Sequence, residues 1–133
     1  MKICVTSQGN SLDSQVDPRF GRCPYFLIVD TDSMDFEAIE NSSVKVGGGA
    51  GIVSGQLIAS KGVEMVITGN VGPNAFQTLQ AANIKIIIGV SGTVKQAIEE
   101  FKKGQLKPTQ EPSVGSKFGM PGGGTGRGGG RNQ

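Results

Sequence analysis

Apolar residues recur along the chain in two rhythms. Short runs rich in β-branched and aromatic residues, at 3–6, 25–29, 64–68 and 85–90, predict strands, and residues 36–41, which alternate less cleanly, predict an edge strand. Three segments carry the longer helical spacing. Residues 50–61 hold Ile52, Val53, Gln56, Leu57 and Ser60 at that spacing and are stopped by Gly62. Residues 73–82 open on proline and place Ala75, Phe76, Leu79 and Ala82 on one face. Residues 93–103 turn Val94, Ala97, Ile98 and Phe101 inward and end at Gly104. The link at 31–35 is short and polar, which predicts an antiparallel hairpin between the second and third strands.

The order β-β-β-α-β-α-β-α constrains the topology. Right-handed crossovers make the first, fourth and fifth strands parallel, and the second must run against the first and third. The expectation is an α/β domain: a five-stranded mixed sheet with helices on its faces, arranged like the ribonuclease H fold. Ligands of such sheets bind beyond the carboxyl ends of the parallel strands. That rim should collect residues 7–24, 46–51, 69–70 and 90–92.

Composition then separates a tail from this domain. Of 22 glycines among 133 residues, 13 lie in residues 1–104 and nine in residues 105–133. The first part carries 9 Lys plus Arg against 10 Asp plus Glu, and the second carries 4 against 1. The overall pI of about 8.6 therefore reflects the tail. From Lys107 onward there is no apolar periodicity, and Pro108, Pro112 and Pro121 alternate with Gly, Ser, Thr and Gln. Such a stretch buries too little to offset chain entropy, so the expected division is a domain at 1–104 and a disordered basic tail at 105–133. No run of 18 apolar residues occurs, and the N-terminus turns polar too early for a signal peptide, which points away from membranes and toward the cytoplasm.

The absence of histidine removes the Ser-His-Asp and Cys-His mechanisms and the His-rich zinc sites. Chemistry is left to Cys, carboxylates, Lys, backbone amides or a cofactor. In FGRCPYF, residues 20–26, Cys23 stands near Arg19 and Arg22, which would favour a thiolate suited to a soft metal or cluster, or to nucleophilic attack; the competing reading is a small buried hydrophobe. Cys4, in the middle of a strand, reads as core.

The glycines Gly47, Gly48, Gly49 and Gly51 open a helix and would present N–H groups to an anion, although the segment matches neither dinucleotide nor phosphate-loop fingerprints, and no nucleotide is expected. In GNVGPNAF, residues 69–76, helix capping explains Asn70, Gly72 and Pro73 but not Asn74. Residues 90–97 read as capping by Ser91 or Thr93. The first and fourth strands lack acids at their carboxyl ends, which excludes a two-metal nuclease. Asp13, Asp17, Asp30, Asp32 and Asp35 fall in loops, where solvated turn residues are the ordinary reading.

Taken together, residues 9–30, GGGAGI at 47–52, TGNVGPNAFQTL at 68–79 and SGTVKQAIE at 91–99 resemble the dinitrogenase iron–molybdenum cofactor biosynthesis family, in the right order and over nearly all of residues 1–104. The resemblance implies a non-enzymatic carrier of an iron–sulfur or iron–molybdenum cofactor precursor, passing it between cluster-assembly proteins. Carried over, Cys23 would be the metal ligand, with Arg19 and Arg22 beside an anionic cluster. Gly47 to Gly51, Asn70, Gly72 and Asn74 would hydrogen-bond the cargo. A single cysteine would call for a homodimer or an exogenous ligand. The alternative from the residues alone is a small-anion or nucleotide-binding module built on the Gly-rich helix starts. The tail's positive charges are too few to imply nucleic acid as a partner.

Overall fold

In a computed structural model of the chain, the structure describes residues 1–41, 50–110 and 112. Five strands, β1 (Lys2–Ser7), β2 (Tyr25–Asp30), β3 (Phe36–Glu40), β4 (Met65–Ile67) and β5 (Lys85–Ile87), alternate with three helices, α1 (Ala50–Ser60), α2 (Pro73–Ala81) and α3 (Val94–Lys102). They form one sheet of order β3-β2-β1-β4-β5. β1 is parallel to β4, and β4 to β5, whereas β2 is antiparallel to both β1 and β3. This is the ribonuclease H-like mixed sheet that the order of elements predicts.

The pleat sorts the core into two layers. Ile3, Val5, Leu27, Val29, Met65 and Ile67 face one side and pack under Val94, Ala97 and Ile98 of α3. Cys4, Phe26, Ile28 and Val66 face the other, under Ile58 of α1 and Ala75, Phe76 and Leu79 of α2. Burying each of the larger of these side chains contributes roughly 1.5–3 kcal/mol. The α3 cap is complete: the Gln96 N–H donates to Thr93 Oγ1, and the Thr93 N–H to Gln96 Oε1.

One expectation needs correction. The inward face of α1 is not the stripe through Ile52 and Val53, which are 38% and 44% exposed; Ser54 and Ile58 are buried instead. Small residues explain the difference. A Cβ on Gly51 would lie 3.1 Å from Ala75 Cβ, and one on Gly55 2.8 Å from Thr78 Cγ2, so α1 turns its glycines to α2 and approaches too closely for larger residues. Contacts with the domain also continue past Gly104. Leu106 packs on the α3 layer, the Thr109 N–H donates to the Ile86 carbonyl (2.7 Å), and Pro108, Thr109 and Gln110 line a groove with Phe76 and Gln80 of α2. Residues 105–110 thus wrap the β5 edge from one face of the sheet to the other. The expectation of a disordered tail at 111 and 113–133 lies outside the described residues.

Candidate anion cradle at the sheet rim

The loop from 8 to 24 is fastened along the carboxyl ends of the parallel strands. It bridges Ser7 at Val16, Thr93 at Gln15 and Asn70 at Arg19. The Asp17 N–H donates to the Thr6 carbonyl (2.9 Å), while Thr6 Oγ1 donates to the Asp17 carbonyl (2.7 Å) and lies 2.8 Å from Thr68 Oγ1. The Phe20 N–H donates to the Asn70 carbonyl (3.1 Å), and Asn70 Nδ2 to the Pro18 carbonyl (3.1 Å). Gly69 allows this: a Cβ there would fall 2.6 Å from Pro18 Cα.

Where this loop meets α1 and α2 there is a cavity of about 360 Å³. Arg19 and Arg22 supply its cations, Asn70 and Asn74 its side-chain amides, and Phe20, Pro73 and Ala75 an apolar wall, with Gly51 and Gly72 at the helix starts. The volume suits a compact anion or small molecule. The start of α2 reinforces the positive character. Its N-cap, Gly72, has no side-chain cap, Pro73 has no N–H, and the Phe76 N–H returns to the Gly72 carbonyl (3.0 Å). The Asn74 and Ala75 N–H groups meet no acceptor among the described residues, and they sit at the positive end of the helix dipole. The start of α3 is closed by contrast: the Val94 and Lys95 N–H groups donate to the Ser14 and Leu12 carbonyls, both at 2.9 Å. The rim therefore divides, and residues 90–92 serve the α3 side rather than the cavity.

Of the site residues expected from the sequence, the cavity brings together Arg19, Arg22, Gly51, Asn70, Gly72 and Asn74. Gly47, Gly48 and Gly49 lie outside the described residues. Asn70 is not a helix cap; it ties down the loop. Cys23 does not line the cavity. It is wholly buried in the layer that holds Cys4 and Phe26, and its thiol is pushed up from about 9.0 to about 12, first by burial and then by the Asp17 charge. That is opposite to the thiolate that neighbouring arginines would favour: Arg22 is exposed and lines the cavity, while the charge that acts on the sulfur is the negative one of Asp17. Burial also pushes the Cys4 thiol well up, with Cys23 adding to it. Among the described residues no three His, Cys, Asp or Glu side chains gather as a metal set.

Two residues are missed by the sequence reading. Phe20 contributes to the apolar wall and packs against Phe26 in a tilted pair, with ring centroids 5.5 Å apart. Asp17, expected as a solvated turn residue, is only 2% exposed. Its Oδ1 accepts the Arg19 N–H (2.8 Å) and lies 3.6 Å from Arg19 Nε. The spacing Asp-Pro-Arg, an acid two residues before the amide it accepts, is the signal that could have marked it.

An open α/β sheet with an arginine-lined cradle at a helix start is the class that fold and rim define. The family model described as dinitrogenase iron-molybdenum cofactor matches residues 1–104, and the chain belongs to that family. It is 32% identical over 110 residues to an uncharacterised protein of Methanocaldococcus jannaschii, covering 80% of this chain and 90% of that one. Among solved structures it is similar to the apo form of the orange protein from Desulfovibrio gigas, with 43% identity, a TM-score of 0.83, and 85% and 96% of the two chains covered. It is also similar to a Thermotoga protein described as a candidate NifB protein, with 40% identity, a TM-score of 0.73, and 85% and 98% covered. No helix among the described residues is long and apolar enough to cross a membrane.

Proposed function

We propose that this protein carries an anionic iron–sulfur or iron–molybdenum cofactor precursor in the rim cavity and passes it to cluster-assembly proteins without catalysing a reaction. The observation that carries this reading is the meeting of Arg19, Arg22 and the open start of α2 in one cavity. The hold is by charge and hydrogen bonds to cluster sulfides. Cys23 takes no part in it, because its sulfur lies in the core and stays protonated. A cargo held without a covalent link can be surrendered whole, which suits a carrier. The family's tie to the dinitrogenase cofactor supports the choice of cargo. So does the orange protein, which has a colour for a name and a structure described as its apo form.

The test is anaerobic incubation with ferrous iron, sulfide and molybdate, followed by desalting. Wild-type protein is expected to retain a visible absorption band and bound metal. Arg19→Gln with Arg22→Gln should lower retention tenfold or more, since a hydrogen bond to a charged group contributes about 1.5–3 kcal/mol. Cys23→Ser should retain the band. A colourless wild-type protein overturns the carrier reading, and loss of colour in Cys23→Ser overturns the non-covalent hold. The open helix start favours a second reading, a small oxyanion or nucleotide ligand. Thermal stabilisation by phosphate or nucleotides together with a colourless protein would establish it, with about 2.7 kcal/mol expected at 100 times the dissociation constant.

A further inference from the structure

We propose that Asp17 is a weakening charge built in behind the cradle, a buried carboxylate that lowers the cavity's hold on an anionic cargo so that the cargo can be handed on. The inference rests on the anion-carrier reading above. Asp17 is the one charged side chain buried among the described residues. Burying a carboxylate is costly, so its charge needs a reason.

The fold does not provide that reason. The backbone N–H and carbonyl of Asp17 stitch the loop to Thr6, and they would do so for any residue. Its Oδ1 accepts the Arg19 N–H, a bond that a neutral asparagine oxygen can also accept, though less strongly. What asparagine would lack is the negative charge 3.6 Å from Arg19 Nε. Arg19 is 62% exposed and lines the cavity, whereas the buried Asp17 does not line it, so an anion seated there would share this guanidinium with the carboxylate. It offsets part of the guanidinium's field and repels the cargo directly. The field of Asp17 also reaches a second neighbour, since it helps to raise the Cys23 thiol.

The direction of the effect separates this role from a positioning one. If Asp17 merely held Arg19 in place, neutralising it would loosen the cargo. If it weakens the site, neutralising it tightens the cargo. The experiment loads full-length protein with iron, sulfide and molybdate and follows loss of the visible band to excess EDTA. Asp17→Asn is expected to release about three- to tenfold more slowly, as a unit charge several Å from an anion at partial exposure implies, and the difference should shrink as salt is raised. Thermal unfolding checks that the fold is kept. Asp17→Ser, which also keeps an oxygen for the Arg19 N–H, should behave alike and serves if the asparagine variant fails to fold. Release as fast as wild type, or faster, in a folded variant overturns the inference and leaves the carrier reading standing. A wild-type protein that takes up no colour overturns both.

Discussion

Gly69→Ala is expected to detach the rim loop, cost about 3 kcal/mol or more, and abolish cargo retention. The cost comes from backbone. An added Cβ would sit 2.6 Å from Pro18 Cα and 2.9 Å from the Pro18 carbonyl oxygen, neither of which can swing aside as a side-chain tip can. The loop would have to lift from β4, and with it would go the bonds of Asn70 to Pro18 and Phe20. Arg19 and Arg22 would then leave the cavity. Gly89→Ala is the control. Gly89 has φ +77° but nothing within 4 Å of an added Cβ, so that variant should lose only the left-handed penalty of about 1–2 kcal/mol and keep its cargo. Urea unfolding and metal retention check both. Equal behaviour of the two variants would show that the close approach at Pro18 is not what holds the loop.

Stability is expected to fall steeply above pH 9. The Cys23 thiol titrates at about 12 in the fold, against an ordinary value of 9.0 in the unfolded chain. A thiol pKa raised by folding means that the unfolded chain loses its proton first. The stabilisation is therefore fully present below pH 9 and is lost as pH rises toward 12, at about 1.4 kcal/mol per pH unit and about 4 kcal/mol in all. Cys4 is shifted in the same direction and steepens the fall. Urea unfolding at pH 7, 9 and 10.5 measures the slope, and Cys23→Ser should flatten it. In the same window a thiol reagent should label neither cysteine until the protein unfolds. Prompt labelling of Cys23 at pH 8 would return its sulfur to the cavity as a candidate ligand.

These expectations show where the sequence was informative. Most strands and helices were legible because their periods are clean: Ile3 and Val5 against Cys4 in β1, or Val94, Ala97 and Ile98 in α3, declare their faces without reference to anything distant. The rim was legible through topology, which places strand ends together whatever their residues. What failed was any feature decided by a partner far along the chain. Ile52 and Val53 looked inward, but Gly51 and Gly55 face α2, and only the α1–α2 approach reveals that. Asn70 looked like a cap, yet its amide is engaged by Pro18, 52 residues away in sequence. Cys23 was judged by the arginines beside it in sequence, whereas its chemistry is decided by the core around it and by Asp17.

The wrap of residues 105–110 has a consequence for where this molecule ends as a folding unit. The family match closes at residue 104, but the Ile86 carbonyl on the outer side of β5 accepts the N–H of Thr109, beyond that match. A chain shortened to 104 would keep every strand and helix and still expose the outer edge of β5. Bare edges recruit other strands, so such a fragment is prone to stack edge to edge into larger assemblies. Six residues that resemble the start of a tail therefore act as the selvedge of the sheet, finishing its β5 edge.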